Sequence, residues 1–162
     1  MANSLEKLTA PFYLPPMSFA FIVRAANWKL DETAIAAVRR AVFIAEQGVP
    51  EALEWEPIDP QCIWLVAVTS DLEVIGIVRL TTAGRIGRMA VMPAWRRHGV
   101  GGALLDAILH TAREQGLTRV HLSAQTHAIS FYAQRGFIAE GAEYEDAGIP
   151  HRSMNLNLKD LP

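Results

Sequence analysis

The sequence predicts a mixed α/β fold, a single domain built on one largely antiparallel sheet with helices on both faces. Three observations lead there. The predicted elements run strand, helix, several strands, helix, strand, helix, strand, strand, which is not the strict alternation of a parallel α/β protein. Apolar residues alternate in the strand candidates and recur at helical spacing between them. Midway, an apolar run passes through "PAWRRHGVGG" and becomes a helix at once. A chain of 162 residues accommodates one domain with a sizeable core. We divide it into an N-terminal arm, residues 1–18, broken by Pro11, Pro15 and Pro16, and a domain over 19–162.

Phe19 to Val23 is apolar and strand-like. Asp31 is placed to cap a helix reaching Gln47, with Ile35, Val38 and Val42 at helical spacing, and Gly48 and Pro50 stop it. After the acidic loop "EALEWEPIDP" come strands at Ile63 to Thr69, Val74 to Thr81 and Ile86 to Met92, an antiparallel meander turned at Asp71 to Glu73 and at Ala83-Gly84. The glycine segment opens a helix through Gln115 that buries Leu104, Leu105, Ile108 and Leu109, and Gly116 closes it. Arg119 to Gln125 alternates as a strand, and His127 to Arg135 is a short helix ended by Gly136. Phe137 to Glu145 and Arg152 to Leu158 complete the sheet.

Composition excludes several functions. The formal net charge of −2 argues against nucleic acid and against a charged membrane surface, which call for a basic excess. No apolar run approaches the roughly 18 residues that span a bilayer. Cys62 is the only cysteine, so an intrachain disulfide and a cysteine metal cluster are both ruled out, which suits the reducing cytoplasm. None of the five histidines forms a zinc-type pair, and no metal is expected.

The glycine segment, Met89 to Leu109, reads as an anion site. Glycines let backbone N–H groups approach a ligand, and the helix that follows adds unpaired donors and the positive end of its dipole. It is not a Walker loop, because Gly101 is followed by Gly102 and Ala103 where Lys and Ser or Thr are needed. Nor is it a dinucleotide fingerprint, because Leu104 stands where a small residue is needed and Arg119 and Val120 where an acid is.

What remains is R-x-x-G-x-G at Arg96, Gly99 and Gly101. Here "VMPAWRRHGVGGALL" and "FYAQRGF" (Phe131 to Phe137) resemble the two signatures of the GNAT superfamily of acyl-CoA-dependent N-acyltransferases. "EQGVP", "AQTHA" and "GIPHRSM" resemble its bacterial ElaA-like or YjcF-like branch. The resemblance covers residues 20 to 158. It implies a splay between the fourth and fifth strands that admits the pantetheine arm of acetyl-CoA (coenzyme A). Met89, Ala90 and Val91 would serve through their backbone. The pyrophosphate would sit on the N–H groups of Arg97, His98, Gly99, Val100, Gly101 and Gly102, with charge from Arg96 and Arg97. Gln125 stands where many relatives have Asn. The Tyr132 hydroxyl would protonate the departing thiolate, against the plainer reading of a core tyrosine.

Many relatives carry a glutamate base on the strand before the loop, and "RIGRMAV" has none. Glu46 and His151 are the candidates for that role, each with an ordinary surface or loop reading beside it. The acidic loop, Glu51, Glu54, Glu56 and Asp59, would favour a cationic amine if it bordered the acceptor site, with Trp55 and Trp64 as an apolar wall, and solvated loop charge is the alternative. Cys62 is expected to be inert. The implied activity is acetyl transfer to a primary amine of a small molecule or peptide by direct attack in a ternary complex. A non-catalytic acyl-CoA sensor and transfer to another nucleophile remain alternatives. "SMNLNL" (Ser153 to Leu158) would suit pairing into a homodimer as well as a plain strand.

Overall fold

The computed structural model describes residues 19–162. The arm read at 1–18 lies outside the described residues.

Among the described residues seven strands form two antiparallel sheets. In the first, β1 (Phe21–Ala25), β2 (Ile63–Thr69), β3 (Val74–Leu80) and β4 (Ile86–Val91) pair in sequence order. In the second, β5 (Arg119–Gln125) and β6 (Ile138–Asp146) flank β7 (Ile149–Asn157). The sheet is therefore parted between β4 and β5, at the expected splay between the fourth and fifth strands. They meet at one end only, through a parallel bridge between Arg85 and His121, whose N–H donates to the Gly84 carbonyl at 3.0 Å. Beyond that point the strands diverge and leave backbone groups open.

The first sheet buries both faces, so its inner strands read as nearly continuous apolar runs. Leu65 and Ala67 on one face of β2 pack with Leu104, Leu105 and Ile108 of α3 (Val100–Glu114). Trp64, Val66 and Val68 on the other face pack with Ile35, Val38 and Val42 of α1, which runs Trp28–Arg39 and continues as a wider π turn over Arg40–Glu46. The short helices α2 (Glu51–Glu54) and α4 (Ile129–Ala133) complete the order.

Three local expectations are corrected. The first helix begins at Trp28 behind Asn27, not at Asp31. Asp31 lies one turn in and reaches back to accept from the Asn27 N–H at 2.7 Å and from Arg24 at 2.8 and 2.9 Å. Strand β1 extends to Ala25 because its whole length pairs with β2. The segment Ser153 to Leu158 cannot pair with a second copy as a free edge. It belongs largely to β7, which is bonded on both sides, and the open edge is β6, kinked at Gly141 (φ +76°).

Candidate active site

The parting of the sheets opens into a cleft of about 800 Å³. Its walls carry Met89, Ala90, Val91, Arg96, Gly101, Gln125, Tyr132, Glu46 and His151, so residues from the π turn, β4, the loop into α3, β5, α4 and β7 meet there. Strand β4 forms its floor. Across from β4, β3 pairs Ile77 with Ala90 and Arg79 with Gly87, so Arg88 and Met89 together oppose Val78 in a bulge. Arg88 adopts φ +47° there, a conformation that is strained for a residue with a Cβ.

The loop after β4 leaves a run of backbone donors uncommitted. Arg97 (φ +63°) and Gly99 (φ +82°) turn the chain into α3, and the first bond of the helix is from the Ala103 N–H to the Gly99 carbonyl at 3.0 Å. The N–H groups of residues 97–102 therefore have no partner among the described residues. Open space surrounds the position a Cβ would take at Gly99, whereas one at Gly102 would lie 2.6 Å from the Arg135 guanidinium. The Arg135 guanidinium, tied to Asp106 at 2.7 Å, thus lies over Gly102. Val100 is buried in the core and has only its N–H to offer. The Arg97 and His98 side chains are exposed on the outside of the loop, where the Phe19 ring stacks on His98 at 3.4 Å between centroids.

Tyr132 is held by its ring, against Phe131 (5.1 Å) and Phe137 (5.9 Å), and its hydroxyl donates weakly to Met89 Sδ at 3.7 Å. Burial pushes its pKa up to about 12, so the hydroxyl carries its proton at neutral pH. Across the cleft His151 is buried, with its Nδ1–H donating to the Ile149 carbonyl at 2.6 Å. That bond leaves Nε2 as the ring's free lone pair. Gln125 lies opposite His151 on β5 and spans the cleft. Its amide donates to Gln47 Oε1 at 2.8 Å, and its own carbonyl accepts from His127 at 2.7 Å.

Glu46 is engaged differently. Both its oxygens accept from Arg96 at 2.6 Å, and Arg96 also donates to the Val91 carbonyl at 3.1 Å. The Arg96 bonds hold the Glu46 carboxyl below its usual range, which makes it a poor proton acceptor in this arrangement.

The acidic loop does not present free charge to the cleft. Glu54 and Asp59 are buried against Arg39, each at 2.8 Å, Asp59 also accepts from Arg79 at 2.8 Å, and Glu56 pairs with Arg79. Arg88 completes the network at 3.2 Å from Glu54 and 3.3 Å from Glu56. Three arginines thus balance three acids. Trp64 is core, and the Trp55 ring is taken by Arg39 and Arg40, 4.8 and 4.7 Å from its centroid, so neither tryptophan lines the cleft. Cys62 lies half-buried with its thiol on the Ile58 carbonyl at 3.2 Å, and burial pushes its pKa up, which disfavours the thiolate. Arg88 and Gln47 were not singled out from sequence. The glutamine stands in the quoted "EQGVP" stretch, while nothing in "RIGRMAV" marks the bulge.

Comparison with known proteins decides the family. The model of the acetyltransferase (GNAT) domain matches residues 30–158. The chain is a GNAT acetyltransferase. It is 33% identical over 120 residues to the N-acetyltransferase YjcF of Bacillus subtilis, covering 72% of this chain and 86% of that one. It is 30% identical over 129 residues to the protein ElaA of Escherichia coli, covering 75% and 84%. An acyl-CoA N-acyltransferase from Pseudomonas aeruginosa superposes with a TM-score of 0.74 at 28% identity, covering 84% of this chain and 99% of that one. This GNAT protein is therefore an N-acetyltransferase that uses acetyl-CoA. The uncommitted N–H donors at the head of α3 and the cleft running on from them suit that group.

Proposed function

We propose that the enzyme transfers the acetyl group to a primary amine of a small molecule or peptide by direct attack in a ternary complex. The observation that carries this reading is the convergence of Tyr132 and His151 on one cleft beside the anion loop. When bound, acetyl-CoA supplies an acetyl thioester already activated for attack. Arg97, His98, Gly99, Val100, Gly101 and Gly102 would hold its pyrophosphate by their N–H groups, with charge from Arg96 and Arg97. The backbone of Met89, Ala90 and Val91 would orient the pantetheine arm.

Tyr132 keeps its hydroxyl proton at neutral pH and is the donor for the departing sulfur. His151 Nε2 is the acceptor for the proton that the amine must lose, and the Ile149 carbonyl fixes the tautomer that leaves this nitrogen free. Gln125 braces the two sides of the cleft through Gln47. The loss of free charge from the acidic loop moves acceptor recognition to the groups that remain in the cleft wall, Glu46 and Asp146 among them.

The test is thiol release from acetyl-CoA across a panel of primary amines, with Tyr132→Phe alongside. Amine-dependent release by the wild type, and loss of release with cofactor binding retained in the variant, is the expected result. Cofactor binding without release for any amine would overturn this reading in favour of an acyl-CoA sensor.

A further inference from the structure

Arg96 and Glu46 are 50 residues apart in sequence and meet across the cleft, one from the anion loop and one from the end of the π turn. Two guanidinium nitrogens grip both carboxylate oxygens at 2.6 Å, and the third is spent on the Val91 carbonyl. Three of the five N–H donors of Arg96 are thereby committed. The Glu46 carboxylate lines the cleft beside Gln47 and the Gln125 bridge, yet in this pairing it offers nothing to a cation.

The pair is one that a phosphate can outcompete. Both side chains are 40% exposed, and exposed ion pairs are weak because water solvates each partner well. A pyrophosphate on the N–H groups of the adjoining loop brings more charge and more acceptor oxygens to the same guanidinium. It also sets a second anion near Glu46, which opposes keeping the carboxylate where it is.

We propose that Glu46 is an acceptor-binding carboxylate that Arg96 masks in the free enzyme and releases to the cleft when the cofactor's phosphates take the arginine. Its ligand is the ammonium form of the acceptor. The cleft then holds an uncompensated negative charge only after the cofactor is seated, and a cationic amine binds to that complex in preference to the free enzyme. This inference rests on the placement of the pyrophosphate in the proposed function. Glu46 is here a specificity-determining residue, not the base.

Two measurements test it. Calorimetric titration with CoA compares wild type and Glu46→Gln, with circular dichroism confirming that both are folded. Removal of the competing carboxylate is expected to tighten CoA binding about 2- to 5-fold, as release from an exposed pair allows. A variant that binds CoA equally or more weakly would show that Glu46 merely supports Arg96, and would overturn the proposal. Saturation-transfer NMR then follows n-butylamine, a cation at pH 7, with and without CoA. Contact only in the presence of CoA, lost in Glu46→Gln, is expected. Contact independent of CoA, contact retained in the variant, or no contact in any state would each overturn it. If the wild type fails to bind CoA at all, the placement of the cofactor has failed instead.

Discussion

Tyr132→Phe separates chemistry from packing more cleanly than any other substitution in the cleft. Among the described residues the phenol's only hydrogen bond is a weak one to Met89 Sδ at 3.7 Å, while the ring makes its contacts with Phe131 and Phe137. Removing the oxygen therefore leaves no buried donor or acceptor stranded, and the stability at pH 7 should change by no more than about 0.5 kcal/mol. Loss of the proton donor should lower kcat by about 10²- to 10⁴-fold, with the affinity for acetyl-CoA intact. The pH dependence of stability adds a second signature. A folded pKa of about 12 against the ordinary 10.0 means that burial favours the neutral phenol. That contribution is complete below pH 10 and is lost as pH rises through 12, up to about 3 kcal/mol. Thiol-release kinetics and thermal melts at pH 7 and pH 11 measure both. A variant with kcat within threefold of wild type would refute the assignment of Tyr132 as the acid. A wild type no more sensitive to alkali than the variant would refute the burial argument.

Asp59→Ala strips a partner from both Arg39 and Arg79, and stranding buried charge should cost about 3–5 kcal/mol, read as a melting temperature lowered by roughly 10 °C. His151→Gln should reduce kcat by about 10²-fold or more with CoA affinity unchanged by calorimetry. Asp31 and Glu46 are held below their usual range chiefly by bonds from Arg24 and Arg96. For Asp59 and Glu56, burial pushes upward but the arginine pairs and, at Asp59, the Glu56 N–H outweigh it. Lowered folded values stabilise the protein above the ordinary carboxyl range. Melting temperature should hold from pH 7 to 5 and fall as pH drops below about 4, through the folded values.

The sequence was most legible where a pattern is local. Ile63 to Thr69 and Arg119 to Gln125 were read to the residue, because an apolar or alternating run bounded by turn residues leaves little choice. The glycine segment marks the start of α3 for the same reason. What escaped depends on pairing between distant segments. The acidic loop looks solvated from sequence, since Arg39, Arg79 and Arg88 come from three other elements and only the fold joins them. Glu46 carries no mark of its engagement by an arginine 50 residues on. Asp31 resembles a cap in sequence because an acid at a helix start and an acid one turn in that reaches back look alike along the chain.

The buried network gives Arg88 a purpose that its backbone makes testable. At φ +47° a side chain is unfavourable, and the residue stays there because its guanidinium is gripped by the Glu54 carbonyl at 3.1 Å and flanked by Glu54 and Glu56. Burial lowers the Arg88 pKa, so its charge is costly as well as its conformation. Both costs are borne at the bulge where β4 turns away from regular pairing, beside Met89 in the cleft floor. Arg88→Ala removes the ion pairs and keeps the strain, whereas Arg88→Gly removes both. If the bulge is strained, the glycine variant should be the more stable of the two by about 1 kcal/mol, despite its looser unfolded chain. Denaturant titration measures the difference. An alanine variant equal to or better than glycine would mean that this conformation costs nothing. The network would then be anchoring a side chain and not holding open the strand.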